Sequence, residues 1–379
     1  MIAAFFDSIP AMIVLTGVLV GASAALLGSF LVLRGAAMLT DAISHAIVFG
    51  VIVVWLLTRQ TAGPVQVLGA AAAGVLTVAL SELLARSRLV KMDAAIGLVF
   101  PALFSAGVLL ISLHARDVHI DADTVLLGEI GFVWLDTVSL FGLRVPVAVA
   151  TLGVVLAVNL GFALALWKEL KLATFDPGLA AALGFFPGAL HYAVLALTSV
   201  TAVAAFDAVG AVLFIAFAIA PPATAYLLTQ RLWLMVTLAV ALSAAACVAG
   251  YALAWRWNVS IGGMMASMTG VWFALALLFA PRQGLVAQAL RSRGRRLDND
   301  CRVLLAHLST HQGAPEMPEE NTLRALVDHL GWSEPRARAA ILRAHDRALV
   351  ERRDGLLTLR KKGVAEVESL LGRGAAAGL

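Results

Sequence analysis

The sequence predicts an all-α polytopic membrane protein of about eight or nine transmembrane helices, followed by a small winged helix-turn-helix (α+β) domain. Three observations carry that expectation. The chain has 379 residues, of which 61% are hydrophobic and 14% charged, with a mean hydropathy of +0.90; soluble domains do not have this composition. Long apolar runs recur, each near the roughly 20 residues a helix needs to cross a bilayer. The charge is also segregated. Residues 1–281 hold 11 Lys/Arg and 12 Asp/Glu, a net of −1, whereas 282–379 hold 17 and 12, a net of +5. The basic pI therefore belongs to the tail. We divide the chain into a membrane domain at 1–285, a basic linker at 286–297 and a winged-helix domain at 298–373.

Nine runs are candidate spans: 10–33, 41–58, 64–85, 95–113, 145–167, 190–206, 208–228, 232–254 and 262–280. The division between the sixth and seventh is the least marked, since only Asp207 and its neighbours interrupt the run. The N-terminus has no basic n-region, so the first run reads as a retained helix and not a signal peptide. One set of connections carries Arg34, then Arg86, Arg88 and Lys91, then Lys168 and Lys171, then Arg231, then the tail; the other carries Arg59, Arg116, Arg144 and Arg256. The richer set is expected in the cytoplasm, with the N-terminus outside and the tail inside.

The stretch Arg34-Gly-Ala-Ala-Met-Leu-Thr-Asp-Ala-Ile-Ser-His45 places Asp41 and His45 at the start of the second span. Four residues apart on a helix, they share a face. An Asp at the centre of a span costs roughly 2.5–3.5 kcal/mol on the insertion scale, less near a span end. A carboxylate and an imidazole together suggest a cation site. The plainer reading makes Asp41 an N-cap and His45 a buried imidazole bonded to a carbonyl.

The longest outer connection, about 114–144, contains Asp117, His119, Asp121 and Asp123. Acidic groups there would concentrate cations near an entrance, or simply keep a loop solvated. In the connection after the fifth span, Phe175-Asp176-Pro177 reads as a helix start with Asp as cap and Pro in the first turn, and Gly184 as its end. This short helix is either a docking element or an interfacial connector. Pro221 and Pro222 in the seventh span remove two backbone donors, and mark either a pathway hinge or a packing kink.

In the tail, helical patterns at 298–310 and 320–330 precede Ser333, a candidate cap for a helix reaching about 348. A hairpin with Asp354-Gly355 at its turn and a last helix at 362–371 complete a winged-helix order. The third helix carries Arg336, Arg338, Arg343 and Arg347, residues suited to nucleic-acid or partner contact. Tethering to a membrane favours protein docking or regulation over DNA binding. The linker arginines suit contact with anionic lipid. His307 and His311, four apart, are a candidate half-site for a metal, or a solvated helix face.

Two function classes drop out. Cys247 and Cys301 form no CxxC motif, which argues against a disulfide framework or a thiolate zinc site. There is no GxxxxGK[ST], and no lysine precedes Ser or Thr, so the chain is not a P-loop ATPase.

Several separated motifs resemble one family. Gly28-Ser-Phe-Leu-Val-Leu-Arg34 followed by Asp41-Ala-Ile-Ser-His45-Ala is similar to the signature of the manganese/zinc/iron uptake permeases of ABC transporters. Thr174-Phe-Asp-Pro-Gly-Leu-Ala resembles that family's loop facing the ATPase. Asp207 through Pro221 to Arg231 resembles its late core helix, and Phe279-Ala-Pro-Arg-Gln-Gly284 its closing segment. The likeness covers about 5–285. The sequence departs from the family at Gly35, where a second basic residue is commoner, and at Pro222, where Gly or Ala is commoner. The tail resembles the DNA-binding part of diphtheria-toxin-regulator-like metal-dependent repressors. The resemblance implies the permease subunit of an importer in the bacterial cytoplasmic membrane. A separate ABC ATPase subunit would power it, an extracytoplasmic solute-binding protein would feed it, and a second permease subunit, identical or paralogous, would complete the path. No cofactor is held permanently; the ligand is the transported divalent metal ion. Without thiolate or Met clusters near the pair, Cu(I) is disfavoured. Manganese or iron is favoured over zinc from the Tyr226-Leu-Leu-Thr variant and the repressor-like tail. Two other classes compete: a membrane-anchored metal-responsive transcription regulator, and a permease for a chelate such as haem or cobalamin.

Overall fold

The computed structural model describes residues 8–59, 64–114, 129–140, 143–281 and 283–370. The chain falls into two compact units, Met1–Gly284 and Leu285–Leu379.

The first unit contains α1 (Ile9–Leu33), α2 (Met38–Thr58), α3 (Pro64–Arg86), α4 (Met92–His114), β1 (Thr137–Leu140), β2 (Leu143–Pro146), α5 (Val147–Ala165), α6 (Trp167–Phe175), α7 (Pro177–Ala182), α8 (Pro187–Leu228), α9 (Leu232–Trp257) and α10 (Ile261–Phe279). Among the described residues, nine helical stretches are long and apolar enough to cross a membrane, with α8 supplying two of them, Pro187–Phe206 and Ala208–Leu228. The chain is thus a mostly helical polytopic membrane protein. One small feature departs from the all-α expectation: β1 and β2 pair antiparallel, Thr137 opposite Pro146, within the long connection between α4 and α5. Its four-residue strands are too short for alternation to stand out.

The core forms around α1. Every residue from Val20 to Leu31 is buried, as expected of a helix apolar on all sides. It packs against α8, α9 and α5, while α2 packs against α3 and α4. By contrast α4 and α10 are largely open and present faces to whatever surrounds the unit. Inside the bundle, where lipid offers no water, most buried hydroxyls bond to their own helix, with Ser23 Oγ and Thr40 Oγ1 as exceptions. Thr16, Ser29, Ser44, Thr77, Ser81, Thr198 and Ser243 each donate to the carbonyl four residues back. Asn159 Nδ2 donates to Thr201 Oγ1 at 2.9 Å, joining α5 to α8; such interhelical bonds contribute roughly 0.6 to 2 kcal/mol.

The expected hinge at Pro221 and Pro222 is not where the backbone breaks. α8 stays helical through both prolines, and its non-helical residue is Gly210, with φ 75° and ψ 168°. Only glycine adopts that conformation without strain. The rings of Phe206 and Phe214 come within 6.1 Å across it, whereas eight residues of straight helix rise about 12 Å. The prolines are accommodated for a local reason. Pro222 cannot donate to the carbonyl four residues back, that of Ala218. Gly28 of α1 approaches this carbonyl so closely that a Cβ there would overlap its oxygen. The freed acceptor thus faces a neighbouring backbone, and both prolines are buried.

The second unit contains α11 (Leu285–His311), α12 (Met317–Glu320), α13 (Leu323–Leu330), α14 (Glu334–Asp346), β3 (Val350–Arg353), β4 (Leu356–Leu359) and α15 (Lys361–Leu370). Residues 286–297, expected as a linker, are instead the first part of the single helix α11, since no Pro interrupts them and one Gly is a modest cost. Cys301, Leu304, Leu305 and Leu308 of α11 pack with Leu326, Trp332, Ala337, Ala340, Ala344, Leu357 and Val367. β3 and β4 pair antiparallel through Asp354 and Gly355, both at positive φ, the pattern of a two-residue hairpin turn.

Candidate functional site

Asp41 and His45 lie on α2, which begins at Met38, three residues before the expected start. Asp41 therefore sits inside the first turn; the N-cap position is Ala37, and no side chain caps the helix. This removes the capping role weighed for Asp41. Its Oδ1 stands 3.5 Å from His45 Nε2, and the two side chains are 32% and 31% exposed. His45 stacks on Phe100 of α4, with ring centroids 5.6 Å apart, and meets Phe104 edge-on at 6.0 Å. The aromatic walls fix the imidazole plane, while the carboxylate keeps lone pairs for another ligand. An acid and an imidazole held this way offer two or three oxygen and nitrogen donors to a divalent ion.

A second acid–imidazole group was not read from the sequence. Glu82 near the end of α3 accepts a hydrogen bond from Tyr192 Oη at 2.7 Å, and its other oxygen lies 3.6 Å from His191 Nε2. Arg86 also donates to Glu82, at 3.4 Å. Arg34, just past α1, donates from Nε to Thr174 Oγ1 of α6 at 3.4 Å. Its Nη2 and the Nδ1 of His191 are buried without a hydrogen-bond partner, and burial pushes the Arg34 guanidinium pKa down. Glu82 and His191 are 109 positions apart in the sequence. The available signal was that each is an ionisable residue inside a span.

At the α6–α7 junction, Asp176 Oδ1 accepts from the Leu179 amide at 2.9 Å, Pro177 opens α7, and Gly184 closes the turn at φ +85°. Phe175, Leu179, Leu183 and Phe186 around it are exposed. Asp117, His119, Asp121 and Asp123 lie outside the described residues. In the second unit the three arginines of α14 and Arg347 just past its end are all engaged in ion pairs. Arg336 grips Asp300 with two nitrogens and lies over the Trp332 ring at 5.0 Å. Arg338 pairs with Glu334, while Arg343 and Arg347 share Asp298.

The fold is that of a polytopic helical membrane protein, with a carboxylate–imidazole pair within one span. Comparison with known proteins narrows this. Residues 8–280 match the family model described as the ABC 3 transport family, and the chain belongs to that family. The zinc transport system membrane protein TroD of Treponema pallidum is 44% identical over 95% of this chain and 98% of its own. The manganese transport system membrane protein MntD of Bacillus subtilis is 46% identical over 75% of this chain and 97% of its own. The structure of PsaBC from Streptococcus pneumoniae in complex with Fab matches with a TM-score of 0.61 and 28% identity, covering 75% of this chain and 98% of that one. The protein is thus a membrane permease subunit of a metal-ion ABC transporter. It is not itself an enzyme, and ATP is hydrolysed on a separate subunit.

Proposed function

We propose that Asp41 and His45 are the transient coordination site of the translocation path. The carrying observation is their geometry: 3.5 Å apart on one face of α2, walled by Phe100 and Phe104, with no other hydrogen bond or ion pair to Asp41 among the described residues. One pair supplies too few donors, since zinc takes four and manganese about six. A second permease subunit related by a two-fold axis would double the set. Mixed carboxylate and imidazole donors without thiolate favour manganese or iron(II). Zinc is the second reading, supported by the relative that matches 95% of the chain.

Phe175, Asp176, Pro177 and Gly184 build the element that docks the ATPase, and the exposed apolar side chains around α7 form its contact face. The acidic residues Asp117, Asp121 and Asp123 with His119 draw cations from an extracytoplasmic solute-binding protein. We assign 1–285 to the permease and place the remainder in the cytoplasm of a bacterial cell bounded by this inner membrane. The helices and hairpin of that remainder support a winged-helix domain of the metal-dependent repressor kind. Because its α14 arginines are consumed by Asp298, Asp300 and Glu334, it docks protein in preference to DNA. The test is metal accumulation, ion by ion, in a deletion strain carrying the wild-type chain or Asp41→Ala and His45→Ala variants. Normal uptake by both variants at normal expression would overturn the site.

A further inference from the structure

The second unit holds a group of metal-binding side chains that neither its packing nor the transport path uses. His307 and His311 stand one turn apart on α11, their ring centroids 5.0 Å apart. Glu320, the last residue of α12, folds back beside them, so that one donor atom from each of the three lies within 4.8 Å of the others. His329 in the last turn of α13 lies beside this group of three, against Glu320, and a small side-chain shift would bring it in as a fourth donor. Its Nδ1 is 2.6 Å from Glu320 Oε2, and its ring centroid is 6.5 Å from that of His307.

The contact between His329 and Glu320 lacks hydrogen-bond geometry. Glu320 Oε2 is shielded from solvent and has no hydrogen-bond partner, although a carboxylate oxygen left so is costly. The carboxylate oxygen left without a hydrogen bond is available as a ligand beside the imidazoles of His307 and His311. His307 Nε2 sits 3.2 Å from the Glu320 carbonyl oxygen; when Nε2–H donates there, Nδ1 keeps the lone pair a metal needs.

We propose that His307, His311, Glu320 and His329 bind a divalent transition-metal ion of the zinc class. Three imidazoles and one carboxylate are borderline donors, which select zinc, cobalt or nickel over magnesium or calcium. Two histidines four apart on a helix reach a single ion from one face. The four side chains come from α11, α12 and α13, so the ion ties these helices together across the turn that contains Gly313 at φ +86°. Occupancy therefore depends on the ion concentration around this unit and sets how firmly its helices hold together. The site does not rest on the transport reading of Asp41 and His45.

The full chain, purified in detergent and stripped with chelator, is titrated with Co²⁺ and then with Zn²⁺. The wild type is expected to develop the strong visible absorption of four-coordinate cobalt, which zinc then displaces. Asp41→Ala/His45→Ala retains that spectrum, which separates this site from the path. His307→Ala/His311→Ala loses it and retains about one zinc ion fewer per chain. Glu320→Gln preserves shape and weakens zinc at least about tenfold. A wild-type spectrum that stays like hydrated cobalt, or equal zinc content and affinity in wild type and Glu320→Gln, overturns the proposal. Either result can be read even if the double histidine variant fails to fold.

Discussion

Two acid–imidazole pairs in the membrane unit have nearly the same separation, 3.5 Å for Asp41–His45 and 3.6 Å for Glu82–His191, yet their surroundings differ. The first pair is local to one helix, and its carboxylate has no second partner among the described residues. The second joins α3 to α8, and its carboxylate also takes Tyr192 and Arg86. Distance alone does not tell the two pairs apart; the number of other partners does. A carboxylate already accepting from a phenol and a guanidinium has little left for an ion. One facing only an imidazole can exchange that contact for a metal.

The largest expected effect lies at the first pair. Asp41→Ala or His45→Ala should lower uptake by more than about 100-fold, beyond the loss typical of residues that only support a ligand, with protein level and ATPase assembly unchanged. Next is Glu82→Ala, which strands the Tyr192 hydroxyl and the His191 imidazole. It should destabilise the purified protein by about 1–3 kcal/mol, read as a lower melting temperature, with uptake falling only as folded protein falls. If Glu82→Ala abolished uptake without touching stability, the distinction between the pairs would collapse. Asp176→Ala provides a control in which a carboxylate serves one backbone amide. Loss of the cap should cost about 1 kcal/mol, seen as weaker co-purification of the ATPase with metal binding intact. The smallest effect should come from Phe100→Ala. Losing the stacked ring is worth about 0.5–1.5 kcal/mol and should raise the half-saturating metal concentration several-fold while leaving maximal uptake near normal.

The spans were legible because hydropathy is a local property, and Asp41 and His45 because four residues on a helix define a face. The α7 cap was legible for the same reason: Asp176, Pro177 and Gly184 act on their own backbone. Contacts set by tertiary packing were not. The sequence shows two prolines in α8, but not that Gly28 of α1 comes up against the carbonyl one of them releases. The division expected around Asp207 falls at Gly210, and the prolines weighed as a hinge or a kink stay within helix. Glu82 and His191 meet only once α3 and α8 are packed, and nothing in either neighbourhood announces the other. The α14 arginines read as free cations until Asp298 and Asp300 from another helix were placed beside them.

Gly210 has a consequence for how the chain is threaded into its membrane. Forty-two residues of unbroken helix would run about 63 Å, twice the roughly 30 Å of a hydrocarbon core. Divided at Gly210, the stretch supplies two crossings; fused, it supplies one. An odd number of crossings leaves the two ends of a chain in different compartments, and an even number leaves them in the same one. One residue's backbone angle thus decides whether this stretch counts as one long helix or as two candidate spans.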